Sequence, residues 1–298
     1  MSKIAVIYGG RSNEREISIK TKNAICTALD KLAKNYIDIE LSKDIAHILT
    51  KEKIDVVINA MHGRYGEDGR LPALLDIIQI PYTHSGFKAS QICMNKLLTK
   101  KLVSDLNINT PKYAVISDIN NIPSQASEIM KSPFVLKPIS EGSSIGVEIC
   151  LEPSKFKFEK THFAYGGILI EEYIKGQELN VVIIKDKAIG VVEVKPKHLF
   201  YDYDAKYSDS GTEYILSPQL KDNILKDILS AGQKIHNYMG CNYLSRIEFI
   251  VQGEKIYFLE INTHPGFTET SLVPKVAEQC HMGFGDIVLD MINSAKFD

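Results

Sequence analysis

The chain has 298 residues, 44% hydrophobic and 24% charged, with a formal net charge of -2, the profile of a soluble globular protein with room for two or three compact domains. Acidic and basic residues are interspersed and no dense Lys/Arg block occurs, which argues against a nucleic-acid or acidic-membrane partner and for small-molecule chemistry. The N-terminal apolar run is too short for a signal segment and no later run reaches the length of a membrane span. With five scattered cysteines and no Cys-x-x-Cys spacing, a reducing cytoplasmic setting is expected.

The first 95 or so residues alternate strand and helix. A strand over Ile4 to Tyr8 leads through a glycine turn into a helix from about Glu14 to Leu32, followed by strands near Tyr36 to Leu41 and Ile54 to Ala60. This order predicts a parallel sheet whose ligand-facing loops lie beyond the carboxyl ends of the strands, at Gly9 to Glu14 and Met61 to Gly69. Neither loop is a Gly-x-Gly-x-x-Gly fingerprint or a Walker A sequence, and Ser12 or Asn13 also suits a plain helix N-cap.

A second block starts with a helix at about Asn95 to Leu106. It continues through a polar loop, Ser117 to Ser127, and the strand Phe134 to Pro138, which ends in Lys137 and opens onto Ser140-Glu141-Gly142-Ser143-Ser144-Ile145-Gly146. Backbone amides of such a loop can wrap phosphate oxygens, and the same composition also serves as a simple hairpin connection. The segment Ile168 to Glu178 ends an apolar strand in carboxylates, suited to adenine or ribose groups or to plain surface charge. The third block holds strands at Asn180 to Ile184 and Ala188 to Val194. An aperiodic stretch from Tyr201 to Ser217 has the length of a lid, and a helix near Gln219 to Met239, a hairpin and two closing helices complete the chain.

The hairpin concentrates the chemistry. Its strands contain Arg246-Ile247-Glu248 and Glu260-Ile261-Asn262, and period-two alternation puts Arg246 with Glu248 and Glu260 with Asn262 on shared faces. Two carboxylates and an amide oxygen are hard ligands of the kind Mg²⁺ takes, and the flanking residues are apolar on both parities, as in a strand covered on both sides. A solvated face with surface ion pairs is the competing reading. Register decides between them. A two-residue turn at Gln252-Gly253 would leave Glu248 and Glu260 on opposite faces, so shared metal binding requires a three-residue connection or a bulge.

Five segments in order over the whole length resemble the D-alanine:D-alanine ligases of the ATP-grasp group. They are Gly9-Gly10-x-Ser12-x-Glu14-Arg15-Glu16, His62-Gly63-x-x-Gly66-Glu67-Asp68-Gly69, Lys137-Pro138-x-x-Glu141-Gly142-Ser143-Ser144-x-Gly146, Tyr201-Asp202-Tyr203-x-Ala205-Lys206-Tyr207, and Asn262-Thr263-x-Pro265-Gly266-x-Thr268-x-x-Ser271-Leu272-Val273-Pro274. The resemblance implies an α/β (α+β) fold in three domains. These are an N-terminal parallel-sheet substrate-binding domain over 1–95, a central ATP-grasp domain over 96–178, and a C-terminal one over 179–298 with its lid at about 201–217.

It further implies ligation of two D-alanines through a D-alanyl phosphate, for peptidoglycan precursor synthesis, in a cytoplasmic homodimer. A different acceptor, D-lactate or D-serine, and a turnover-deficient nucleotide-binding module are the alternatives. By the same resemblance Lys96, Lys137 and Lys206 face the ATP phosphates, Glu171 and Glu178 hold adenine and ribose, and Glu248, Glu260 and Asn262 hold two Mg²⁺ ions, replaceable by Mn²⁺. Arg246 and the amide of Gly266 match the oxyanion stabilisers. Glu14 faces the first substrate's ammonium beside His62, Ser271 and the amide of Leu272 take the second substrate's carboxylate, and Tyr207, Ser143 and Glu14 form the set linking lid to substrate. Tyrosine at 207, where ester-forming relatives commonly have phenylalanine, favours the peptide product.

The chain departs from the family pattern at Glu248 (often Asp), Asn95 (usually Asp), Asn13 (commonly Ala) and His264. The role given to Arg246 yields a first expectation. Arg246→Ala should lower turnover by about 10²–10³-fold while changing ATP affinity little, because a guanidinium aimed at an oxyanion acts in the transition state. Steady-state kinetics and equilibrium nucleotide binding check this, and collapse of ATP binding with normal turnover would reject the role.

Overall fold

The computed structural model describes residues 2–116, 126, 128–131, 133–152, 167–195, 212–268 and 270–298. Its N-terminal part is a parallel sheet in the order β2-β1-β3, formed by β1 (Ile4–Tyr8), β2 (Tyr36–Glu40) and β3 (Val56–Asn59). The crossover between β1 and β2 is α1 (Arg15–Lys31), and α2 (Ile45–Lys51) connects β2 to β3. Central strands of this sheet are apolar on both parities because helices cover both faces, as β1 shows with Ile4, Ala5, Val6 and Ile7 all buried. The expected N-cap hydroxyl at Ser12 does not appear in that role. Glu14 occupies the cap position of α1, and Ser12 donates instead to the carbonyl of His62 at 2.7 Å, tying the two strand-end loops together.

Three short helices follow: α3 (Arg70–Ile77), α4 (Phe87–Met94) and α5 (Lys96–Ser104). Asn95 caps α5, its side chain accepting from the amide of Leu98 at 3.0 Å. Next comes an antiparallel sheet in the order β4-β7-β5-β6, with β4 (Tyr113–Ile116), β5 (Phe134–Pro138), β6 (Glu148–Cys150) and β7 (Ile168–Glu172). The Gly/Ser loop is thus a hairpin connection between β5 and β6.

A second antiparallel sheet, β10-β9-β8-β11-β12, contains β8 (Gln177–Ile184), β9 (Lys187–Lys195), β10 (Glu213–Ile215), β11 (Leu244–Gln252) and β12 (Lys255–Asn262). The strand β10 falls inside the stretch read as an aperiodic lid; three residues are too few to show a period of two, and pairing with β9 creates the strand. Most of that stretch, including Lys206 and Tyr207, lies outside the described residues. The helix α6 (Asp222–Tyr238) packs on β8, β9 and β11, and α7 (Leu272–Gln279) and α8 (Phe284–Asn293) close the chain.

The hairpin turn is two residues long but sits at Gly253-Glu254, one position later than expected, with Gln252 opposite Lys255. A regular ladder from that turn would pair Glu248 with Leu259. The register instead shifts between Phe249 and Glu248, so Phe249 faces Phe258 while Glu248 faces Glu260, and Leu259 is the extra residue of a bulge. Of the two solutions that shared metal binding requires, the chain uses the bulge. Phe249 and Phe258, both fully buried and edge to face with centroids 6.1 Å apart, anchor the last regular pair before it. Phe249→Ala should therefore destabilise the fold by about 3–5 kcal/mol, the cost of a large core cavity. Urea unfolding checks this, and a loss under about 1 kcal/mol would show that this pair does not anchor the sheet.

Candidate active site

Two cavities meet on the hairpin. The larger, about 560 Å³, lies between the two antiparallel sheets and is bordered by Lys137, Glu171, Glu178, Glu193, Glu248 and Ile250 among others. This is the size of small-molecule sites. The bulge lets two consecutive residues, the apolar Leu259 and the carboxylate Glu260, both face it. The smaller cavity is polar, bordered by Glu14, His62, Ser143, Arg246, Asn262 and Gly266. Lys96, Glu141 and Glu260 line both.

Charge in these walls is paired with care. Lys96 contacts Glu260 at 3.1 Å and donates to the carbonyl of Glu141 at 2.5 Å, while Arg246 is ion-paired with Glu248. Glu171, buried in β7, holds Lys137 at 2.6 Å on one oxygen and Lys100 at 2.9 Å on the other. Burial works to raise its pKa, but the two lysines outweigh this and hold the carboxyl below the usual glutamate range. Glu14, buried at the start of α1, accepts from the Ser143 hydroxyl of the Gly/Ser loop. Glycine makes that approach possible, since a Cβ on Gly63 or on Gly142 would stand 2.4 Å or 3.1 Å from a Glu14 oxygen. Ser143 and Ser144 both take left-handed φ, 51° and 58°, a conformation costing roughly 1–2 kcal/mol per residue outside glycine. The Ser143 to Glu14 bond helps hold the loop in that shape.

Other residues singled out from the sequence have more specific surroundings. Both ring nitrogens of buried His62 are engaged by protein, Nε2 with Thr21 at 2.8 Å and Nδ1 with Glu67 at 3.0 Å, so it borders the small cavity with no nitrogen left for a ligand. Ser271 occupies the cap position of α7, with its hydroxyl accepting from the amide of Thr268 at 3.0 Å; Leu272 begins that helix. Asn262 accepts from the amide of His264 at 2.7 Å. His264 stacks on His84 with centroids 3.8 Å apart and meets His62 edge-on at 5.3 Å, which gives the unusual histidine of the Asn262 to Gly266 loop a packing role. Lys100 and Glu193 escaped the sequence reading. A Lys96/Lys100 spacing of four on one helix was the signal available for the first, and buried Glu193 in an otherwise apolar run for the second.

Comparison with known proteins fits this arrangement. The family model described as the D-ala D-ala ligase C-terminus matches residues 102–293, and that of the N-terminus matches residues 41–85. The chain belongs to the D-alanine–D-alanine ligase family. It is 43% identical to the D-alanine–D-alanine ligase of Wolbachia pipientis, covering 98% of this chain and 94% of that one, and 40% identical to the Rickettsia felis ligase, covering 99% and 92%. The crystal structure of the Bacillus anthracis ligase complexed with ATP superimposes with a TM-score of 0.83 at 28% identity, covering 98% of this chain and 96% of that one. ATP use follows from membership of the ligase family.

The histidine stack generates an expectation for acid stability. Burial, with a smaller push from His62, lowers the His84 pKa from 6.5 to about 3. The unfolded chain therefore takes up a proton near pH 6.5 that the folded one refuses, and the stability contributed by neutral His84 is present above pH 6.5 and lost as pH falls from there toward 3. At pH 5 this amounts to about 2 kcal/mol. His84→Phe, which keeps a ring but cannot titrate, should shrink the stability difference between pH 7.5 and pH 5 by about that amount in urea unfolding. An unchanged difference would assign the acid sensitivity elsewhere.

Proposed function

We infer that this chain joins two D-alanines to D-alanyl-D-alanine at the expense of ATP, the reaction that supplies the dipeptide of peptidoglycan precursors. One observation supports this above the others: the nucleotide-sized cleft and the small polar cavity share a wall made of Lys96, Glu141 and Glu260. A phosphoryl group at the end of a nucleotide in the first would border an amino-acid carboxylate in the second, and phosphoryl transfer demands alignment and charge neutralisation above all.

Carboxylate is a poor electrophile. Transfer of the terminal phosphoryl of ATP to the first D-alanine's carboxylate gives ADP and an acyl phosphate; the second D-alanine's amine then adds to the acyl carbon, and the tetrahedral adduct expels phosphate. In this reading Glu14 holds the first ammonium. Lys96 and Lys137, with Lys206 from the lid, neutralise the phosphates, and Arg246 and the Gly266 amide receive the oxyanion. Ser271 and the Leu272 amide at the start of α7 take the second carboxylate. Glu178 suits the ribose. Glu171 is already engaged by two lysines, and an adenine amino group reaching it would add a third donor to a carboxylate with about four acceptor positions.

The donor set also fits Mg²⁺. Glu248 and Glu260 stand opposite each other with Asn262 two residues along the same strand, all oxygen ligands, and each carboxylate already attracts a cation, Arg246 or Lys96. Bound there, the metal would neutralise phosphate charge. Among the described residues no helix is long and apolar enough to cross a membrane, and we place the enzyme in the cytoplasm as a homodimer on the strength of the family alone.

The test is a coupled ADP-release assay with D-alanine, L-alanine and D-lactate offered singly and mixed. ADP and dipeptide formation that requires D-alanine is expected; folded protein giving no dipeptide at saturating ATP and D-alanine would overturn the reading. In the same assay Glu260→Gln should raise the Mg²⁺ requirement by about tenfold or more, and an unchanged metal dependence would move the metal elsewhere.

A further inference from the structure

Lys100 is the most deeply buried charged side chain near the site, with no measurable exposure, and the reaction as described above gives it no task. Its neighbours make its position informative. It lies one turn after Lys96 on α5, and its ammonium is ion-paired with one Glu171 oxygen at 2.9 Å. The other Glu171 oxygen holds Lys137 at 2.6 Å. Among the described residues, the remaining charged or titratable groups facing Lys100 are Glu260 on β12 and Tyr113 on β4, whose ring centroid is 5.8 Å from the ammonium. Enclosing an ammonium whose carboxylate partner is shared with a second lysine is costly, and an apolar side chain of similar volume would suit the core at least as well. The charge itself is therefore what this position supplies.

Consider the three groups as one unit. With Lys100 present, one anion is divided between two cations and the unit keeps a net positive charge. Without it, Glu171 would neutralise Lys137 alone and the unit would carry no net charge. Lys137 and Glu171 both line the cleft, Lys137 beside the Gly/Ser loop, and Lys100 lies behind them. We propose that Lys100 is a positioning residue for nucleotide binding: by occupying one oxygen of Glu171 it prevents that carboxylate from cancelling Lys137, and so keeps a positive charge available to a polyphosphate. This rests on the reading that Lys137 faces the ATP phosphates.

Burial, opposed by Glu171, lowers the Lys100 pKa to about 8, so the proposed effect has a titration of its own. Its protonated form predominates below pH 8; above it, Lys100 goes neutral and Glu171 turns wholly to Lys137. In the full-length protein, kcat/KM for ATP at saturating D-alanine and Mg²⁺ should then fall as pH rises through about 8.

The experiment compares wild type with Lys100→Met, Lys100→Arg, Lys137→Met, Glu171→Gln and the double variant Lys100→Met/Glu171→Gln. Lys100→Met should raise KM for ATP by about tenfold with a much smaller change in kcat, and Lys100→Arg should restore the wild-type value and move the alkaline fall upward. The deciding arm is the double variant. Once Glu171 is neutral there is nothing left for Lys100 to divert, and Lys100→Met should cost less than about twofold in that background. An equal cost in both backgrounds, or a KM within about twofold of wild type for Lys100→Met, overturns the proposal. A Lys137→Met variant with unchanged ATP affinity would instead overturn the underlying placement of the phosphates, and the proposal with it. Should Lys100→Met fail to fold, the pH profiles of wild type and Lys100→Arg decide: identical profiles, with or without a fall near pH 8, count against it.

Discussion

Side chains on a strand alternate between faces, so carboxylates on two paired strands meet only when the register sets them opposite each other. In this chain that condition hangs on one extra residue. Leu259 breaks the ladder between β11 and β12, and beyond it Glu248 faces Glu260 and Arg246 faces Asn262. Arg246 can then bind Glu248 along its own strand while Lys96 approaches Glu260 from α5. The same irregularity brings an apolar surface and a carboxylate to the cleft from neighbouring positions, which a regular strand cannot do.

Around this register the protein buries charge that its stability does not require. Glu14, Lys96, Lys100, Lys137, Glu171 and Glu248 are all buried, and well-packed apolar residues would serve the core at least as well. All but Glu248, which pairs with Arg246 on its own strand, have a partner on another element: α1 on the Gly/Ser loop, α5 on β7 and β12, β5 on β7. The site is thereby held by pairwise contacts across elements that would otherwise be free to adopt other spacings. Preorganisation of this kind lowers the reorganisation needed when a highly charged nucleotide enters.

Much of this was legible in the sequence because catalytic loops sit at predictable places. The strand–helix alternation of the first 95 residues fixes a parallel sheet with loops at its carboxyl end, and Ser12 bonded to His62 confirms that those loops meet. Alternation on the hairpin showed which residues share a face, and it also exposed that a simple turn was incompatible with shared ligation. What could not be read is what depends on contacts between distant elements. The bulge position follows from how Phe249 and Phe258 fit the core, and nothing in a linear pattern marks Leu259 as the extra residue. Lys100 looks like an ordinary helix lysine until β7 is placed beside it. His264 looks anomalous until His84, 180 positions earlier in the chain, supplies the ring it stacks on.

The packing of α8 carries one more consequence. One hydrophobic cluster joins Ile4, Val6 and Ile25 from the beginning of the chain with Val182 and Ile184 of β8 and with Val288 and Met291 of α8. The parallel sheet therefore has no complete covering until α8 has been made, and its apolar face waits for a partner more than two hundred residues away. Contacts of such sequence separation form slowly, because loop closure must precede the gain from burial. The apolar face of the N-terminal parallel sheet is thus exposed to aggregation until α8 has been made.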